Sequence, residues 1–194
     1  MAYCDKPLIL ASASPRRREL LERFGVPFRV VPARGAETAP EGLTPGELVE
    51  CLARHKAAEV AAGEDPDSVV IAADTVVEID GEILGKPGTP ARAEEMLRRL
   101  SGREHRVWSG LCVRRGEKIL SGREATSVHF RKLTDEEIRA YVATGEPMDK
   151  AGAYGYQDRA GLFVERIEGD YFNVVGLPLE RLGRMLGEFG VSLL

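Results

Sequence analysis

The residues best suited to chemistry begin near the start of the chain, where two serines and three arginines lie within positions 12–18. A Ser-Pro pair in this segment predicts the N-terminus of a helix. That end carries free N–H groups and about half a positive charge, so arginines in its first turn are unfavourable. A phosphate bound by the serine hydroxyls and guanidinium groups would remove the conflict. An exposed basic turn or a Ser-Pro phosphorylation site is the alternative.

A carboxylate follows the apolar run 69–73, which predicts a buried strand. Asp74 is therefore expected at the carboxyl end of an interior strand, where ligands bind in open α/β sheets. A carboxylate there can bind a divalent cation or position a water molecule, and Thr75 adds a hydroxyl. The alternative is a polar residue that only ends the strand and caps the next turn.

Two lysines offer positive charge. Lys56 follows Leu48 and Leu52 at helical spacing, so it is expected on the core-facing stripe of a helix, where a lysine needs an anion. Lys86 follows a predicted hairpin, which can return it towards the sheet edge expected to carry Asp74. For either lysine alone, the alternative is a surface side chain whose aliphatic part lies along the protein.

A glycine-rich segment covers residues 149–157. Its glycines would let the backbone approach a ligand closely, and Tyr154, Tyr156 and Gln157 could stack on and hydrogen-bond a planar group. An ordinary surface loop is the alternative.

Strands and helices alternate along the chain. Capping boxes at Thr44 with Glu47 and at Thr134 with Glu137 predict two helix starts. Asp80-Gly81 between two short apolar runs predicts a hairpin. Further strands are predicted at 8–11, 107–113, 119–130 and 162–167, and further helices after Ser14, Thr89 and Pro178. The pattern predicts an α/β fold with a mixed sheet.

Composition narrows the class of protein. The chain has 194 residues with 27 Lys and Arg against 31 Asp and Glu, a net charge of -4 that disfavours binding to a nucleic-acid polymer. No apolar run approaches the roughly 20 residues of a membrane span. Three widely separated cysteines, Cys4, Cys51 and Cys112, fit no disulfide or zinc pattern and favour the reducing cytoplasm.

Five segments, in order over nearly the whole chain, resemble the Maf family of nucleoside triphosphate pyrophosphatases: residues 10–21, 72–77, 85–87, 150–157 and 173–179. The resemblance implies one domain over residues 1–194, often dimeric. Its expected fold is an elongated mixed β-sheet flanked by helices, with two lobes around a central cleft, similar to inosine triphosphate pyrophosphatases. The implied reaction cleaves the α–β phosphoanhydride bond with a divalent metal, Mg²⁺ or Mn²⁺, and gives a monophosphate and pyrophosphate.

The resemblance also implies roles for single residues. Asp74 is the expected proton acceptor and, with Glu37, a metal ligand. The residues expected to hold the triphosphate are Ser12, Arg16, Arg17, Lys56 and Lys86. Arg16, Thr75 and Gln157 are expected to tune substrate choice, and a glutamine in the Tyr-Gly-x-Gln position resembles the branch that acts on dTTP and UTP.

Two other functions remain open from the sequence. One is an interaction protein that regulates septum formation or cell division, a role attached to the family's name. The other is a nucleotide sensor without turnover.

Overall fold

The computed structural model describes residues 6–36 and 38–194, and element bounds refer to that part of the chain. Its strands are β1 (Leu8–Leu10), β2 (Arg29–Val30), β3 (Val69–Ile79), β4 (Glu82–Leu84), β5 (Glu104–Arg115), β6 (Lys118–Phe130) and β7 (Val164–Glu168). Its α-helices are α1 (Pro15–Glu22), α2 (Pro45–Ala61), α3 (Pro90–Leu100), α4 (Asp135–Ala143), α5 (Tyr171–Val175) and α6 (Leu179–Gly187). Among these described residues, no helix is both long and apolar enough to span a membrane.

The strands form a mixed sheet in the order β2-β1-β3-β5-β6-β7, with β4 paired to β3. Strand β1 is parallel to both β2 and β3, whereas the β3/β4 and β6/β7 pairs are antiparallel. Parallel pairs need helical crossovers and antiparallel pairs need only hairpins, so the mixed sheet follows from a chain that contains both. The predicted α/β class is confirmed.

Local signals located several element boundaries correctly. Both capping boxes form, at the starts of α2 and α4. The predicted hairpin joins β3 to β4, with φ of 56° at Asp80 and 78° at Gly81. Short 3₁₀ turns lie in the glycine-rich segment, at Ala151–Ala153, and just after it, at Arg159–Leu162. The short elements β2 and α5 were not predicted.

The expected end of the third strand was wrong. Strand β3 continues through Asp74 to Ile79, because its backbone gains β4 as a partner at Val77–Ile79. A polar residue does not end a strand whose backbone groups still have hydrogen-bond partners. Strand β1 ends at Leu10, opposite Ile71, so Asp74 still lies beyond the end of the parallel β1/β3 pairing.

The chain divides into two compact units. Unit 1 comprises Met1–Asp74, Ser109–Glu124 and Gly176–Leu194. Part of its core consists of small and aliphatic side chains from β1, α2, β3 and β5. At Gly110 a Cβ atom would overlap the Val49 carbonyl, so glycine is what lets the backbone of α2 pack directly against β5.

Unit 2 comprises Thr75–Trp108 and Ala125–Val175, and its core is rich in aromatic rings. Phe130 contacts the rings of His105, Tyr154 and Phe163 edge to face, and Tyr141 contacts Phe163 in the same way. Helices α3 and α4 contribute apolar faces to the same core. Large aromatic rings therefore fill the core of unit 2. In unit 1, by contrast, the backbone of α2 packs closely against β5.

Candidate functional site

A buried ion pair joins α2 to β3 in unit 1. Lys56 Nζ donates a hydrogen bond to Asp74 Oδ1 at 2.5 Å, and the two side chains are 18% and 12% exposed. The helical spacing correctly predicted that Lys56 faces inward and needs an anion. The pair places an ammonium against a carboxylate in a largely buried setting, so each charge offsets the cost of burying the other.

Arg17 joins three distant parts of unit 1 beside this pair. Its Nε donates to the Gly176 carbonyl at 2.8 Å, and its Nη1 donates to the Ala73 carbonyl at 2.8 Å. Nη1 also lies 3.3 Å from Ser12 Oγ, which accepts from the Ser14 N–H at 3.2 Å. The first turn of α1 is thus fixed to the residue immediately before Asp74.

The start of α1 has the electrostatic conflict expected from the sequence. Ser14 is the N-cap residue, yet its side chain makes no cap hydrogen bond, and the first turn contains no acidic residue. Arg16 is half-buried there, whereas Arg18 is exposed and pairs with Glu22 at 2.7 Å. An anionic ligand would supply the negative charge that this helix end lacks.

Three of the predicted site residues belong to unit 2. Thr75 is half-buried on β3, and Lys86 is exposed just after β4, which runs antiparallel to β3. The Gly152 N–H donates to the Gly85 carbonyl at 3.1 Å, so the glycine-rich segment is attached to the residue before Lys86. Gln157 is half-buried, and its Oε1 is enclosed without a hydrogen-bond partner among the described residues.

Tyr154 does not have the ligand-stacking position expected from the sequence. It is 6% exposed, its hydroxyl hydrogen-bonds the His105 ring at 2.8 Å, and its ring centroid lies 4.8 Å from that of Phe130. Burial raises the pKa of this phenol well above its ordinary value. Tyr156 is half-buried and its ring contacts Tyr171, so it is the tyrosine of the segment with surface left for a ligand.

Residue Glu37, expected near a metal, lies outside the described residues, as does Cys4. Within 6–36 and 38–194 no group of three His, Cys, Asp or Glu side chains could hold a metal ion. Cys51 and Cys112 are free thiols, and burial raises the pKa of Cys112 to about 11. Cys112 is therefore a poor candidate for a nucleophile or a metal ligand.

Known proteins match this chain over nearly its whole length. The sequence model of one family, described as Maf-like protein, matches residues 7–189. A dTTP/UTP pyrophosphatase of Pelotomaculum thermopropionicum is 52% identical over 97% of this chain and 100% of the relative. One of Moorella thermoacetica is 54% identical over 95% of this chain and 96% of the relative.

The fold is similar to that of two solved structures. The Ham1 protein of Staphylococcus aureus matches with a TM-score of 0.53 and 15% identity, over 94% of this chain and 99% of its own. The Ham1 protein of Coxiella burnetii matches with a TM-score of 0.52 and 18% identity over the same shares. These likenesses confirm the expected α/β fold with a mixed sheet flanked by helices.

Proposed function

The chain belongs to the family of Maf-like proteins, and on that premise we propose that it hydrolyses nucleoside triphosphates, with dTTP and UTP as the preferred substrates. The products are the nucleoside monophosphate and pyrophosphate. The observation that carries the proposal is the buried Lys56–Asp74 pair beside the N-terminus of α1. It combines a carboxylate able to accept a proton with cations able to bind phosphate.

Asp74 is the proposed general base. Water is a weak nucleophile, and a carboxylate that takes its proton as the oxygen attacks phosphorus lowers the barrier. Lys56 donates a hydrogen bond to this carboxylate and so fixes its position in a largely buried setting. The bond that breaks joins the α phosphorus to the bridging oxygen, which leaves on pyrophosphate with the electron pair.

The cationic residues are the proposed triphosphate ligands. Negative charge increases on the leaving pyrophosphate during the reaction, so Arg16, Lys56 and Lys86 would stabilise the transition state more than the bound substrate. Arg17 and Ser12 already bond to one another and to neighbouring backbone. Those bonds support a contribution that includes orienting the α1 turn towards a phosphate.

A divalent cation fits the residues present. Mg²⁺ is usually held by one or two carboxylates together with substrate phosphates and water, and Asp74 offers one hard carboxylate. We propose that Asp74, together with Glu37, holds Mg²⁺ or Mn²⁺. When bound, the cation would neutralise triphosphate charge and acidify water.

Gln157 is the proposed reader of the base, together with Arg16 and Thr75. Its Oε1 is buried and has no donor within residues 6–36 and 38–194, and such an acceptor favours a ligand that supplies a donor. Uracil and thymine carry a hydrogen on N3, whereas the corresponding nitrogen of cytosine has none. Discrimination against cytosine follows, because the wrong base would leave buried polar groups unpaired.

A panel of natural nucleoside triphosphates with Mg²⁺ or Mn²⁺, assayed for monophosphate and pyrophosphate, tests the proposal. We expect kcat/KM for dTTP and UTP to exceed that for CTP, ATP and GTP by at least about a hundredfold. UTP methylated at N3 should lose this advantage. A flat profile would contradict the assignment of the base, and release of orthophosphate alone would contradict the assignment of the bond.

The arrangement of the chain supports a single catalytic domain. The family match spans residues 7–189, and strands β3, β5 and β6 each contribute residues to both compact units. We propose accordingly that residues 1–194 act as one unit. A cytoplasmic location and a homodimer stay predictions from the sequence.

A further inference from the structure

A buried lysine in unit 2 has no role in the proposed chemistry. Lys150 is 6% exposed, and its Nζ donates to the Glu146 carbonyl at 2.7 Å and to Asp149 Oδ1 at 2.9 Å. Asp158 Oδ2 lies 3.7 Å from the same ammonium. Acidic and carbonyl oxygens surround this cation, so it is unsuited to bind a phosphate group.

The aliphatic part of Lys150 lies against Gly155. A Cβ atom at position 155 would come within 2.5 Å of Lys150 Cε and 2.8 Å of Cδ, closer than side-chain carbons approach one another. Glycine at this position therefore lets the backbone rest directly on the lysine stem. Replacement of Gly155 by alanine would force the stem or the backbone to move.

Gly155 and Asp158 are the two ends of one tight turn, closed by a hydrogen bond from the Asp158 N–H to the Gly155 carbonyl at 3.2 Å. Lys150 contacts the first of these residues through its stem and pairs with the last through its ammonium. Gln157 lies inside this turn, one residue before Asp158. The conformation of the turn, and with it the direction of the Gln157 amide, depends on both contacts.

We propose that Lys150 is a positioning residue for Gln157. Lys150 does not contact the substrate, but by holding Gln157 in place it sets the preference for uracil and thymine. The inference rests on the proposed function, because it assigns Lys150 to support the Gln157 amide that is proposed to read the base. Removal of the ammonium leaves two aspartates near one another without a counter-charge, so the end of the turn at Asp158 would move away. A displaced amide accepts poorly from N3–H, so UTP loses part of its advantage over CTP.

The test compares Lys150→Met, which keeps most of the stem and removes the charge, with Lys132→Met, which changes an exposed lysine of the same unit. The ratio of kcat/KM for UTP to that for CTP is measured for the wild type and both variants. We expect the ratio to fall about tenfold in Lys150→Met, the equivalent of one hydrogen bond, and to stay unchanged in Lys132→Met. Turnover of CTP should stay near the wild-type value.

A double-mutant cycle separates positioning from general damage. In a Gln157→Ala background, Lys150→Met should lower the ratio no further, because the group that it positions is gone. If Lys150→Met does not fold by circular dichroism, Asp158→Asn carries the same test, since it weakens the anchor of the turn and leaves Lys150 its partners Glu146 and Asp149.

Three outcomes distinguish the inference from the function on which it rests. A wild-type enzyme without preference for UTP contradicts the proposed function, and the inference falls with it. A wild-type preference that survives in Lys150→Met, or in Asp158→Asn where that variant carries the test, overturns the inference alone. So does a drop in the ratio that is equally large with and without Gln157.

Discussion

Each compact unit contains a largely buried lysine bonded to an aspartate, and the two lysines differ in what they connect. Lys56 on α2 bonds Asp74 on β3, so it links two regular elements beside the start of α1. Lys150 bonds or pairs with residues 146, 149 and 158, all of the same loop region. Burial and residue type are therefore similar in the two cases, and the location of the partners is what assigns Lys56, and not Lys150, to the proposed chemistry.

Among the substitutions that test this comparison, Asp74→Asn is expected to have the largest effect on turnover. Asp74→Asn keeps the shape and a hydrogen-bond acceptor for Lys56 but removes the base, so kcat should fall about a thousandfold for every nucleotide. Calorimetry should still detect nucleotide binding, and the variant should still fold. Asp158→Asn is the matched variant in unit 2, where we expect turnover to persist and only base preference to change. Near-normal pyrophosphate release by Asp74→Asn would contradict its role as base.

Lys56→Met should have the next largest effect. It removes a cation from the triphosphate and leaves Asp74 buried without its partner, so kcat/KM should fall about a hundredfold for all bases alike. Lys150→Met should instead change the ratio between bases. Steady-state pyrophosphate assays with UTP and CTP compare the two variants directly. Equal patterns in both would show that the two lysines do not have separate roles.

A smaller effect, on the stability of the fold, is expected from His105 in unit 2. Burial, with a contribution from the neighbouring His129, lowers the pKa of His105 to about 3, against an ordinary value of 6.5. Below pH 6.5 the unfolded chain binds a proton that the folded chain does not, so stability falls as the pH decreases. At pH 5 the loss is about 2 kcal/mol.

Urea unfolding at pH 7 and pH 5 measures this loss. In His105→Gln, which keeps a polar partner for the Tyr154 hydroxyl, the decrease in stability between the two pH values should be smaller by about the same 2 kcal/mol. An unchanged pH dependence in His105→Gln would show that another group titrates.

The sequence predicted best the features that depend on neighbouring residues. Thr44 with Glu47, and Asp80 with Gly81, act within one turn of chain, so the structure agrees at both. The orientation of Lys56 was predictable for a similar reason, because helical spacing alone determines which residues share a face.

Features that depend on distant partners were not predictable. The continuation of β3 past Asp74 depends on pairing with β4, and the burial of Tyr154 depends on His105, 49 residues away in the sequence. Lys150 lies in the glycine-rich segment, but its proposed role could be inferred only from the fold of residues 146–158. The two-residue strand β2 is too short for any periodic pattern.

The bonds made by Arg17 have a consequence for how the protein is synthesised. The hydrogen bond to Gly176 spans 159 residues, and the same guanidinium group bonds Ser12 and the residue before Asp74. During translation the N-terminal segments leave the ribosome long before residue 176. A nascent chain therefore carries Asp74, the proposed base, well before the bond from Arg17 to Gly176 can form, and the α1 turn gains this anchor only when the segment around residue 176 folds back.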